Sequence, residues 1–190
     1  MRRRPLRSLV SRERFSASGA LVAHPRNLVG GGNSRVTISG EGMRVGIVGT
    51  GTVGLRLARE LVDDPTVETV ALLSGSGTRQ AQIHDALGDK VLLGGDDIEQ
   101  SGVDAVVLCT PDHAQYELAA SIVRQGRHVV ALADSVASVR ALLSLDGLAR
   151  AGECSVVVGS GMSPGLSSLL AVHASTLYDS IEEIAIGVTG

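Results

Sequence analysis

Gly49-Thr50-Gly51-Thr52-Val53-Gly54 follows an apolar run, Val45 to Val48, and leads into a segment with helical spacing. In a strand-turn-helix unit the first glycine permits a tight turn and the second lets backbone approach a diphosphate. The third lets the helix pack close to the strand. Amides at the start of the helix have no carbonyl of the same helix to pair with, and the peptide dipoles there favour negative charge. A glycine-rich structural turn is the plainer reading. The strand before and the helix after favour a dinucleotide cradle built from Gly49, Thr50, Gly51, Thr52, Val53 and Gly54.

The end of the next apolar run selects the coenzyme. An NAD site usually places an Asp or Glu roughly 20 residues on, bonding the ribose 2′-hydroxyl. This chain reads Ser74, Ser76, Thr78 and Arg79 there, and its next carboxylate is Asp85. Hydroxyls and a guanidinium suit a 2′-phosphate, so NADP is expected over NAD, with Ser74 and Arg79 as its contacts. The plainer role for Arg79 is to open a solvated helix.

A third group is Cys109-Thr110-Pro111-Asp112-His113, after a nearly continuous apolar run. Open α/β sheets place ligands beyond the carboxyl ends of their strands. Cys109, Thr110 and Pro111 are therefore expected to border the coenzyme, with Thr110 and Pro111 at the nicotinamide ribose and Asp112 or His113 toward a small-molecule substrate. The favoured reading of His113 is a solvated residue in a first helical turn. With no basic partner nearby, Cys109 reads as a small buried residue rather than a nucleophile. His84, His128 and His173 have no metal-ligand spacing, and no metal site is expected. No catalytic residue is identifiable.

Regular elements must position these groups. Short apolar runs at Val45–Val48, Val67–Leu73, Lys90–Leu93, Val103–Cys109, His128–Leu132 and Ser155–Val158 read as strands. Helical patterns fall between them. One runs from Val53 to Leu61 with Val53, Leu57, Ala58 and Leu61 inward, and a weak one from Gln80 to Leu87. Another opens at an Asp112/Gln115 capping box, aligns Ala114, Leu118 and Ile122 and stops at Gly126, and the last spans Ser135 to Ala151. This alternation predicts an α/β fold with a doubly wound parallel sheet of the Rossmann kind over residues 43–160.

The chain has 190 residues, 44 % of them hydrophobic, and no apolar run near the 18 residues of a membrane span. Its two cysteines suit a reducing cytoplasm. Residues 1–42 carry eight Arg against two Glu, whereas residues 43–190 carry nine basic and eighteen acidic side chains. So acidic a body repels phosphate backbones, and no nucleic-acid partner is expected. Residues 1–42 lack sustained periodicity and are expected to form a disordered basic tail. A translation start at Met43 is favoured over a transit peptide or a basic interaction arm. Sixteen Arg against the single Lys90 suggest a GC-rich coding sequence, in which spurious upstream frames are common.

Three segments in order, MRVGIVGTGTVG, VDAVVLCTPDHAQYELAASIVRQGRHVV and GSGMSPGLSSLLA, resemble the N-terminal half of the saccharopine dehydrogenase-like reductases. A related pattern occurs in the glucose-fructose oxidoreductase and inositol dehydrogenase family and in dihydrodipicolinate reductases. The resemblance implies hydride transfer to or from an imine or carbonyl of an amino-acid-like substrate. Gly161, Pro164 and Gly165 match a Gly-x-x-Pro-Gly segment that opens a helix beside the cofactor, with Ser163 as its N-cap and Pro164 in its first turn. Where glucose-fructose oxidoreductases carry Glu-Lys-Pro with a catalytic lysine, this chain has Ala131 to Ser135, ALADS. The resemblance also implies that residues 161–190 are a connecting helix and first strand, Ile181 to Gly190, of a truncated second α+β domain for substrate binding and homodimer formation. A non-catalytic dinucleotide-binding module or sensor subunit is the alternative.

Overall fold

The computed structural model describes residues 42–73, 77–95, 98, 100–163 and 165–186. The chain divides into a unit spanning Ile38–Glu182 and a second made of Met1–Thr37 and Glu183–Gly190. Of the second, Glu183–Ile186 is described; it has no regular structure and its side chains are exposed. The basic tail expected over residues 1–42 lies outside the described residues, except for Gly42.

The large unit alternates strand and helix. Strands β1 (Met43–Val48), β2 (Val67–Leu73) and β3 (Val91–Leu93) are joined by helices α1 (Thr52–Asp63) and α2 (Gly77–Leu87). Strands β4 (Ala105–Leu108), β5 (His128–Ala131) and β6 (Val156–Val157) follow, with α3 (Asp112–Arg124) between the first two and α4 (Val136–Leu143) and α5 (Asp146–Ala151) before the last. Helix α6 (Leu166–Ser175) comes after β6. The six strands form one sheet in the order β3-β2-β1-β4-β5-β6, and every pairing is parallel. This is the doubly wound Rossmann arrangement expected, with the chain reversing direction across the sheet between β1 and β4.

Alternation along the strands explains the two-sided core. Val45, Ile47, Val70 and Leu72 face α1 and α2 through Ala58 and Ile83. Val48, Leu73, Val106 and Leu108 face the opposite layer, where Ala119, Ile122 and Leu142 close over them. Because successive side chains of a strand point to opposite faces, strands covered on both sides must be apolar throughout. The near-continuous runs of the sequence are that requirement written out.

Several local expectations need correction. Along α1, Ala58 is buried and Leu57 and Leu61 pack against the core as expected, but Gly54 is buried with them and Val53 is 57 % exposed in the open first turn. The inward face of α3 is Gln115, Ala119, Ala120, Ile122 and Val123, while Ala114 and Leu118 are only partly covered. The helix expected from Ser135 to Ala151 is two helices. The Ser144 hydroxyl donates to the Ala141 carbonyl at 2.6 Å, tightening the end of α4, and the buried Leu145 then stands at the start of α5. Ile181–Ile186, the described part of the strand expected over residues 181–190, has no regular structure, and residues 187–190 lie outside the described residues.

Two polar ties fasten the edge of the sheet opposite the glycine turn. Arg44 donates from Nη2 to Asp104 Oδ1 at 2.9 Å, and its backbone N–H donates to Oδ2 at 2.9 Å. Burial would raise the Asp104 pKa, but these bonds and the guanidinium charge hold it below the usual carboxylate value. Lys90, the single lysine, donates from Nζ to the carbonyls of Val62 (2.7 Å) and Asp64 (2.8 Å), capping the end of α1. Helix α6 buries none of its side chains, and Leu169 and Val172 are 69 % and 64 % exposed. Among the described residues no helix is long and apolar enough to cross a membrane.

Candidate functional site

The turn after β1 and the turn after β4 lie side by side at the carboxyl edge of the sheet, where the chain reverses direction. The Cys109 N–H donates to the Val48 carbonyl at 2.8 Å, carrying the β1–β4 ladder one step past the strands. Gly49 then leaves β1 with φ +101°, a conformation side chains rarely adopt. A β-carbon added to it would lie 2.6 Å from the Cys109 carbonyl oxygen, so the two turns touch backbone to backbone.

The other glycines divide their roles as the motif predicts. Gly54 is buried with the Gly49 carbonyl against it, and a β-carbon there would overlap that oxygen. Gly51 stands at the N-cap of α1 with no atom within 4 Å of where its β-carbon would be. The first bond of the helix runs from Leu55 N–H to the Gly51 carbonyl at 2.9 Å, leaving the amides of Gly51 to Gly54 without a partner inside the helix. Gly51, Thr52 and Val53 are exposed, while the Thr50 side chain is buried. An open helix start with backbone laid bare is suited to a phosphate group.

Side chains from neighbouring helices take up carbonyls around this edge. Arg79, in the first turn of α2, donates from Nε to the Thr50 carbonyl at 2.7 Å, bringing together residues 29 apart in sequence. Gln80 donates from Nε2 to the Leu72 carbonyl at 3.2 Å, and Gln115 from Nε2 to the Thr110 carbonyl at 2.8 Å. Tying back carbonyl oxygens leaves N–H groups to set the local potential, which favours an anion at the rim. Ser74 lies outside the described residues.

At the end of β4, burial pushes the Cys109 thiol up to about 11, so it stays protonated near neutrality and serves as a packing residue. Pro111 occupies the N-cap of α3 and is exposed. The Thr110 hydroxyl is buried and has no hydrogen-bond partner. His113 is exposed. The capping box expected of Asp112 and Gln115 is absent. Asp112 instead accepts from the Ser135 N–H at 3.0 Å and the Asp134 N–H at 3.4 Å, while Gln115 turns inward. The sequence could not reveal this, because the turn after β5 competes for the carboxylate across 22 and 23 residues.

Hydrogen bonding from Ser135, the largest influence, lowers the Asp112 pKa below its ordinary value. A depressed carboxylate pKa contributes stability above the unfolded-state pKa, and that stability is lost as pH falls through the folded value. Asp112→Ala should therefore lower the thermal midpoint by a few degrees at pH 7, with the gap closing below about pH 4. Thermal melts of both proteins across pH check this; a gap independent of pH contradicts it.

The Gly-rich segment after β6 also departs from expectation. Its helix starts at Gly165, with φ +140°, instead of being capped by Ser163, which is exposed. The Leu166 N–H donates to the Gly161 carbonyl at 3.0 Å, a wide turn that delays the helix. Pro164 lies outside the described residues. No group of three or more His, Cys, Asp or Glu among the described residues is placed to hold a metal ion.

Residues 43–160 match the family described as "Oxidoreductase family, NAD-binding Rossmann fold". The chain is 34 % identical over 92 residues to inositol 2-dehydrogenase 1 of Saccharopolyspora erythraea, covering 46 % of this chain and 27 % of that protein. It is 32 % identical over 108 residues to 4-carboxy-2-hydroxymuconate-6-semialdehyde dehydrogenase of Sphingobium sp., covering 53 % and 34 %. The matches thus span about a third or less of these curated relatives. The crystal structure of apo saccharopine dehydrogenase (L-Glu forming) from Saccharomyces cerevisiae shares the fold with a TM-score of 0.58 at 18 % identity, over 72 % of this chain and 31 % of that one.

Proposed function

Because the chain belongs to the oxidoreductase family with the NAD-binding Rossmann fold, we propose that residues 43–160 hold NADP in preference to NAD for hydride transfer to or from an amino-acid-like imine or carbonyl substrate. The observation that carries the choice of coenzyme is Arg79, held at the glycine turn by its bond to the Thr50 carbonyl. A guanidinium fixed there brings positive charge to a 2′-phosphate. The first carboxylate in α2, Asp85, comes two turns later.

The nicotinamide coenzyme supplies the hydride chemistry when bound. The chain's own residues supply its seat. The amides at the front of α1 take the diphosphate, Gly51 leaves room for it, and the turn of Cys109, Thr110 and Pro111 borders the nicotinamide half. Ser74, at the end of β2, belongs to the same proposed seat on sequence grounds. Asp112 and Asp134 place carboxylates at the ends of β4 and β5, with no Lys or Arg in either turn. That charge favours a substrate carrying an ammonium or iminium group. A small-molecule substrate, a reducing cytoplasm and a homodimer complete the proposal.

A second reading, a dinucleotide-binding module without catalysis, is favoured by one observation. The single lysine is engaged at the end of α1, on the far edge of the sheet, so no lysine stands at the coenzyme edge to move a proton. NADPH oxidation against keto acids with and without amines separates the two readings. Calorimetric titration tests the coenzyme itself: NADP should bind about tenfold more tightly than NAD, the effect of one charge-assisted contact. Equal affinities or a preference for NAD overturn the assignment.

A further inference from the structure

Gln115 is 1 % exposed and is the single polar residue on the buried face of α3, among Ala119, Ala120, Ile122 and Val123. A buried amide is costly unless its groups are bonded, so an aliphatic residue would be the better choice for packing alone. Its Nε2 donates to the Thr110 carbonyl at 2.8 Å. That carbonyl can only accept, which fixes the amide with its nitrogen toward the turn and its oxygen away. Gln115 Oε1 is buried without a partner, and so is the Thr110 hydroxyl. The turn that Gln115 grips is the one pressed against Gly49 through the Cys109 carbonyl.

We propose that Gln115 is a positioning residue for the nicotinamide half of the coenzyme, acting by holding the 109–111 turn in place. The proposal rests on the dinucleotide reading above. Sheet order gives it direction. With β2 on one side of β1 and β4 on the other, a dinucleotide laid across the reversal point puts its adenosine half over β2 and its other half over β4. Gln115 anchors the β4 side only. The adenosine half is served by the glycine turn, Arg79 and α2, none of which Gln115 bonds.

Comparison of a whole coenzyme with a fragment tests this. ADP carries adenosine and diphosphate but no nicotinamide. In Gln115→Leu, ADP affinity should stay within about twofold of the parent chain, and the preferred dinucleotide should bind about tenfold more weakly. Equal weakening of both ligands, or of neither, overturns the proposal. If the parent binds neither ligand, the coenzyme reading itself fails, an outcome distinct from these. Gln115→Glu gives a second readout that does not depend on the leucine variant folding. A neutral carboxyl donates to the Thr110 carbonyl while a carboxylate repels it, and burial favours the neutral form. Dinucleotide affinity of Gln115→Glu relative to the parent should recover as pH falls from about 8 to about 5.5, with ADP affinity unchanged. No recovery overturns the proposal.

Discussion

Gly51→Ala should keep the thermal midpoint within about 3 °C of the parent while weakening coenzyme binding about tenfold or more. Gly54→Ala should lose about 2 kcal/mol of stability, or about 6–10 °C, and lose binding with it. The two glycines sit three residues apart and belong to the same motif, yet their surroundings are opposite. No atom lies within 4 Å of a β-carbon at Gly51, whose backbone is already extended, so a methyl group there disturbs only what approaches from outside. At Gly54 the same methyl group overlaps the Gly49 carbonyl, and the turn that holds both strands' ends must shift. Helix propensity favours alanine by about 1 kcal/mol and offsets part of that cost. Melting curves paired with titrations distinguish the cases. Destabilisation of the Gly51 variant matching that of the Gly54 variant would show that the open space is needed by the fold itself.

Arg79→Gln should reduce NADP affinity by about tenfold and leave NAD within about twofold, erasing the preference between them. The glutamine retains an N–H donor for the Thr50 carbonyl, so the glycine turn keeps its tie while the charge disappears. Loss of affinity for both coenzymes alike would assign Arg79 to shaping the turn. Titration at two salt concentrations adds a control, since a contact between guanidinium and phosphate weakens as ionic strength rises.

The fold was legible because its signals are dense and local. The strands are short, mostly apolar runs with glycine or proline near their ends, as a sheet covered on both faces demands. The glycine turn was legible for a related reason, since each glycine answers a backbone constraint that the spacing alone encodes. What escaped was decided between elements. Asp112 follows the pattern of a capping residue, but the backbone amides of Asp134 and Ser135 offer its carboxylate a better partner. Gln115 looked like half of that capping box and instead faces the sheet, where its amide meets a carbonyl. Val53 continued a helical apolar stripe on paper, yet at the first turn there is no layer beneath it to bury against. Ser144 hides the break between α4 and α5 for the same reason: a side chain bonding back to its own helix leaves no mark in hydrophobic period.

Lys90 has a practical consequence. Amine-directed reagents find one side-chain target on this protein, and its nitrogen is already engaged with two backbone oxygens of α1. Acylation there would exchange a charged donor for a neutral amide too long to sit in the same place. The extent of such tagging therefore reports how often the tail of the first helix comes undone, at an edge remote from any bound nucleotide.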